Sequence, residues 1–283
     1  MNDEVSNKRL LRIFPRRTSA TPDDSNVVVG RWPDMFDEAD EVHISVAFEW
    51  DIPQAESLAL QWEQVAPVSI GGPAFRDSGS EFVPGLYLKE GYVITSRGCP
   101  NSCWFCRAWK NEGHTVRELK ICDGWNVLDN NLFACSIAHQ QAVFEMLARQ
   151  PKRACFTGGL EAARMTDWHV EWLVRLKPEH YYFAYDTEDD FEPLLAAAGL
   201  LKRAGLLRNH NTGCYVLIGW RGDTTAAAET RLRATMNLGY MPQAMLYDRG
   251  LQWEKSDRLT WRRFQREWAN KVIVGHKMQE ASA

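Results

Sequence analysis

From Gly91 onward one pattern recurs along the chain: a short apolar run ends in glycine or polar residues and gives way to a stretch with helical spacing. The runs fall at 91–96 (GYVITS), 125–129 (WNVLD), 153–157 (RACFT), 181–185 (YYFAY), 214–219 (CYVLIG) and 242–247 (PQAMLY). Helical stretches lie near 136–149, 166–176, 190–204 and 224–237, with Ser136 and Thr166 placed as N-caps and Gly205 and Gly239 as stops. Strand and helix alternation predicts parallel strands joined by right-handed crossovers. Six such units predict an α/β fold built as a partial (β/α)6 TIM-like barrel, with reactive groups at the carboxyl ends of its strands.

The rest of the chain is read around that barrel. Residues 1–40 mix charges with Pro15, Pro22 and Pro33 and hold one apolar run, Val27-Val28-Val29, which predicts an irregular lead-in. Residues 42–48 (VHISVAF) read as a strand, 53–65 as a helix and 68–70 as a second strand ending at Gly71-Gly72-Pro73. Residues 74–90, with Gly79, Pro84 and Gly85, read as a connection. The expected organisation is a reduced α/β cap over 1–90, the barrel over 91–250 and a C-terminal helical extension over 251–283. Within the extension, Trp261, Phe264 and Trp268 recur at helical spacing and predict a docked aromatic stripe, with Arg262, Arg263 and Arg266 on a solvated face. Nucleic-acid binding through that basic face is the lesser reading and has no other support.

Composition narrows the function classes. With 45% apolar and 25% charged residues over 283 positions, the chain is neither a disordered tail, a collagen-like repeat nor a coiled coil. Its longest apolar runs, such as 214–220, fall far short of the roughly 20 residues that cross a bilayer. The opening MNDEVSNKRLLRIFPRR has no secretory pattern, so a cytoplasmic location and no membrane partner are expected. A net charge of -4 gives no whole-chain attraction to phosphate backbones. Seven unevenly spaced cysteines do not make a disulfide scaffold, and in a reducing compartment clustered thiols read as metal ligands.

Three of the seven are clustered. Residues 96–106 read S-R-G-C-P-N-S-C-W-F-C, placing Cys99, Cys103 and Cys106 as C-x3-C-x2-C on a loop directly after the first barrel strand. A structural zinc site takes four protein ligands, and here His114 would have to complete a Cys3His set, giving a binding module without catalysis. An iron-sulfur cubane held by three thiolates instead leaves one iron open to a non-protein ligand. Cys122, Cys135, Cys155 and Cys214 form no C-x2-C pair and read as small core residues, so no auxiliary cluster is expected.

This spacing, with the aromatic Phe105 before the third cysteine, resembles the signature of the radical S-adenosylmethionine superfamily. The resemblance covers roughly residues 91–247. It implies a 4Fe-4S cluster on Cys99, Cys103 and Cys106, S-adenosylmethionine on the open iron, and reductive cleavage to a 5'-deoxyadenosyl radical that abstracts hydrogen from a substrate. It also implies an external electron donor such as flavodoxin or ferredoxin. Asp129-Asn130-Asn131, ending the second strand, resembles the Asp-Asp-Asn of the cobalamin-associated branch, where polar atoms face the cofactor's amino group; alone, D-N-N is more often a turn. Gly158, Gly159 and Glu161, after the third strand, resemble the Gly-Gly-Glu motif, and the choice between the two segments stays open. Asp186 after the fourth strand is a candidate acceptor for a ribose hydroxyl or a substrate donor, or else a helix cap. G-W-R-G-D-T at 219–224 resembles the Gly-x-Pro-Gly-Glu-Thr segment, making Arg221 a candidate partner of the cofactor carboxylate, or else a surface arginine. Tyr185 near the mouth is a possible hydrogen donor by position, but an aromatic in a strand usually packs.

The segment 42–74, with V-x-I-G-G-P-A, resembles the end of a cobalamin-binding domain, but the Asp-x-His-x-x-Gly loop and the length are missing. A remnant that caps the barrel, and no bound cobalamin, are therefore expected. The layout is similar to that of compact superfamily members encoded by phages, a likeness that names no substrate.

Overall fold

The computed structural model describes residues 8–77, 81–207, 211–247 and 254–281. Gly79 of the predicted connection, the first seven residues and the predicted boundary at 250–251 lie outside them. The chain opens with β1 (Leu10–Phe14), β2 (Val27–Val29), β3 (Glu41–Ser45), α1 (Ile52–Trp62) and β4 (Val68–Gly71). These strands form one parallel sheet in the order β2-β1-β3-β4. Strand alternation sends Leu11, Ile13, Val42 and Ile44 to one face, where they bury Leu58 and Trp62 of α1 in a core of their own.

The irregular lead-in expected over 1–40 is thus corrected, because β1 sits inside this sheet between β2 and β3. Arg12 hides the strand from a reading of apolar pattern. Its side chain is 8% exposed, pairs with Asp24, and donates to the carbonyls of Gly85 (2.9 Å) and Leu86 (2.6 Å). A charge inside a strand is tolerated here because both terminal nitrogens of the guanidinium find acceptors, one of them a carboxylate.

The second part runs β5 (Tyr92–Val93), β6 (Ser96–Arg97), α2 (Ala108–Glu112), β7 (Arg117–Glu118), β8 (Asn126–Val127), α3 (Ile137–Ala148), β9 (Cys155–Phe156), α4 (Asp167–Leu176) and β10 (His180–Tyr185). It continues with α5 (Phe191–Arg203), β11 (Thr212–Ile218), α6 (Thr225–Leu238), β12 (Met241–Leu246), α7 (Lys255–Ala269) and α8 (Lys271–Ala281). All six expected strands are present, in one parallel sheet ordered β12-β11-β10-β9-β8-β5. Each strand lies beside its predecessor, so the sheet is wound in a single direction. Ser136 caps α3 by accepting from the His139 N–H, Thr166 and His169 form a capping box on α4, and Gly239 ends α6 at φ +99°.

One face of this sheet is sealed by helices. Tyr181, Phe183 and Tyr185 of β10 point into the same core as Leu194, Leu201 and Leu232. Tyr182 and Tyr215 lie on the other face and stack at 4.7 Å. The aromatic stripe of α7 docks as expected, with Trp261 and Trp268 buried and Arg262, Arg263 and Arg266 exposed. The extension holds two helices, however, because Asn270 ends α7 and accepts from the Val272 N–H at 3.0 Å. Among the described residues no helix is long and apolar enough to cross a membrane.

Candidate functional site

The first expected strand is interrupted. After β5 the chain leaves the parallel sheet, and β6 pairs antiparallel with β7, closing residues 98–116 into a loop with a tied base. The tie is ionic as well as ladder-bonded: the 7%-exposed Glu112 accepts from Arg97 at 3.0 Å and from Arg117 at 2.8 Å. Gly98 is obligatory, since at φ +88° a Cβ would lie 2.2 Å from the Thr115 carbonyl. Cys99 N–H donates to Gly113 O, and the Cys103 carbonyl accepts from both Cys106 N–H (3.0 Å) and Trp109 Nε1 (2.9 Å).

All three loop thiols are free; Cys99 is buried and Cys103 and Cys106 are half-buried. The Cys103 thiol is pushed up to about 11, first by burial and then by the neighbouring Cys106 and Cys99, so the three sulfurs share one electrostatic neighbourhood. They do not converge as ligands of a single ion do. Among the described residues the one group of three ligating atoms within 4.8 Å of one another is Asp129, Cys135 and His139, all buried. His114 belongs to no such group: it is exposed and stacks on Trp109 at 4.7 Å.

The Asp129 group is a hydrogen-bonded knot beneath the loop. Asp129 accepts from the Thr95 N–H (2.6 Å), the Thr95 hydroxyl (2.6 Å) and the Ser96 hydroxyl (2.7 Å). Burial raises its pKa despite these donors. Asn130 Oδ1 accepts from Gly98 N–H at 2.9 Å. Both residues therefore spend their oxygens on holding the chain where β5 gives way to the loop.

Asn131 does something different. It is 5% exposed, and its Nδ2 lies 3.6 Å from Cys99 Sγ and donates to Glu161 Oε2 at 2.6 Å, while its Oδ1 accepts nothing among the described residues. Glu161 also accepts from Asn101 of the loop at 3.1 Å and pairs with Arg164 at 2.6 Å. The segments after β8 and β9 thus meet at one place beside Cys99. Gly158 permits this, because a Cβ there would lie 2.7 Å from the Asp129 carbonyl, and Gly159 turns the chain at φ +95°.

Across the strand ends, Asp186 accepts from Leu217 N–H at 3.1 Å, and its carboxyl is pushed up to about 7 by burial and then by Asp190. Thr187, not Asp186, caps the following turn, in a capping box with Asp190. Arg221 is exposed. The enclosed cation here is Arg231 of α6, which pairs with Asp223 at 2.8 Å and lies 4.2 Å from the Trp220 ring centroid. Tyr185 is buried in the core against Phe191. Phe105 meets Trp104 edge-on, and Trp104 reaches Trp220 and Tyr247, beyond the ends of β11 and β12.

Sequence reasoning named Asn131 only as the end of the Asp129-Asn130-Asn131 segment, without a role of its own, and did not name Arg231. The former stood in plain view in D-N-N, whereas Arg231 carries no motif, because its partner Asp223 lies across a turn. No protein-family profile matches this chain, and no curated protein matches it significantly.

Proposed function

We propose that this protein is a radical S-adenosylmethionine enzyme whose six-stranded sheet curves into a partial (β/α)6 barrel, with residues 1–90 as its cap and 251–283 as its helical extension. The observation that carries the reading is the C-x3-C-x2-C run of free thiols on a loop with a tied base, at the carboxyl end of the first strand of a sheet wound in chain order. The packing of Trp104 against residues beyond β11 and β12, at the opposite edge from β5, favours curvature.

The donor set suits the implied group: soft thiolates favour iron-sulfur clusters, and coordination deprotonates a thiol that burial alone keeps protonated. The unpaired Asn131 Oδ1 supplies a buried acceptor beside Cys99, where an ammonium donor would satisfy it. When bound, the cluster supplies the electron that cleaves S-adenosylmethionine to methionine and a 5'-deoxyadenosyl radical.

The chain's own residues do the rest. Glu161 and Asn131 together orient the cofactor's amino end, and the Gly158–Gly159 turn lets the backbone close on it. Asp129 and Asn130 act one layer below, fixing the loop base that sets the sulfur positions. Asp186 offers a carboxyl to a ribose or substrate hydroxyl. Electrons come from an external flavodoxin or ferredoxin, and no corrin is bound.

Anaerobic reconstitution should load about four irons per chain, the content of one cubane, and Cys99→Ala, Cys103→Ala and Cys106→Ala should each abolish that loading. One tightly held zinc in place of iron would establish the zinc-module alternative.

A further inference from the structure

A cavity of about 610 Å³ lies between the two sheets, within the roughly 300–1,000 Å³ typical of small-molecule sites. Its first wall is the face of the four-stranded sheet turned away from α1. Because Leu11, Ile13, Val42 and Ile44 fill the α1 core, alternation leaves Phe14, Ser45 and Ser69 on this side. The opposite wall holds Ile94 and Leu128, the residues after β5 and β8, whose preceding valines Val93 and Val127 point into the helix-side core. Phe82 and Leu86 of the connection cover the space between.

The carboxyl ends of two parallel sheets therefore meet at one chamber. The four-stranded sheet adds a topological argument. Its order β2-β1-β3-β4 reverses direction between β1 and β3, and open α/β sheets bind ligands in the crevice beyond such a reversal. Pro15 and Phe48, from the segments that follow those two strands, both line the cavity.

Charge selects the ligand class. The cations that reach the cavity are already engaged: Arg16 Nε donates to the buried Asp51 at 2.8 Å, and Arg97 pairs with Glu112 at 3.0 Å. His43 is held between Tyr87 and Glu41. Among the described residues neither a phosphate nor a carboxylate finds an uncommitted cation here. What remains is a mostly apolar enclosure edged by serine and threonine hydroxyls, with the exposed Asp77 and Glu81 at its rim, carboxylates that further disfavour an anionic ligand.

We propose that this cavity binds a neutral, largely apolar small molecule bearing hydroxyl or carbonyl groups. The site stands independently of the radical reading, so it is tested on full-length, metal-free protein with reduced thiols, using the neutral dye Nile red as probe. Binding should saturate at one dye per chain with a blue-shifted emission. Ser69→Trp and Leu128→Trp fill the chamber from opposite walls, and each should weaken the dye at least ten-fold while far-ultraviolet circular dichroism stays unchanged. If one of them fails to fold, the other carries the test. Trp32→Ala, which removes an exposed aromatic that is not part of the cavity lining, should leave binding unchanged. Dye binding that survives the filling variants, displacement by ATP, or retention of hydroxocobalamin at one per chain would each overturn the proposal.

Discussion

Two halves of the six-stranded sheet hold their shape by different means. Strands β5, β8 and β9 are two residues long each, and β8 meets β9 at a single pair, whereas β10, β11 and β12 run for six, seven and six. The long half is secured by continuous ladders and by buried rings such as Tyr181 and Phe183. In the short half side chains do that work: Asp129 holds Thr95 and Ser96, Asn130 holds Gly98, and Thr157 donates to Asn126 at 2.7 Å. Ladders and apolar packing tolerate many sequences, but a buried polar knot tolerates few, because each unpaired member costs free energy. The residues beside Cys99, Asn131 and Glu161, follow strands of the short half, where the chain must leave the sheet and still stay fixed.

The largest effect on stability should come from the long half. Phe183→Ala empties a fully buried site, and such truncations cost about 3–5 kcal/mol. Urea denaturation should show that loss, while iron loading of the folded fraction stays unchanged. Loss of loading in that fraction would mean the halves are not separable.

Asp129→Ala should cost less overall and act locally. It strands the Thr95 N–H, while the Thr95 and Ser96 hydroxyls can rotate to other acceptors, a penalty of about 1–3 kcal/mol. Hydrogen exchange should accelerate over residues 96–118 and leave β10–β12 protected, and Asp129→Asn should restore part of the protection. Exchange that rises evenly across the sheet would break the distinction between the halves.

A third effect shows itself only as a pH slope. The Asp186 carboxyl is raised from its ordinary 3.8 to about 7, so between those values the folded protein keeps a proton that the unfolded chain releases. Stability therefore falls as pH rises through that window and levels off above it. Asp186→Asn should flatten the decline, read by denaturation at about pH 5 and about pH 8. An unchanged slope in the variant would assign the titration elsewhere.

The same contrast decides what the sequence disclosed. The long strands were legible because apolar runs such as CYVLIG report burial directly, and the short ones because glycine and polar residues mark their ends. The hairpin of β6 and β7 was not, since Arg97, Arg117 and Glu118 carry no strand pattern and are joined through Glu112, a partner recognisable only in space. Likewise β1 was concealed by Arg12, whose two carbonyl acceptors lie more than seventy residues away. At the site, the cysteine spacing was explicit, whereas the meeting of Asn131 with Glu161 depends on how closely Gly158 lets two strand ends approach.

The central claim is that the tied loop presents three thiols to a cluster that cleaves S-adenosylmethionine. The direct measurement is product analysis after anaerobic reduction of the reconstituted, full-length protein with S-adenosylmethionine. The account predicts 5'-deoxyadenosine and methionine in equal amounts, and neither product from Cys103→Ala. S-adenosylhomocysteine without 5'-deoxyadenosine, or no cleavage by a protein that carries its full complement of iron, would contradict it.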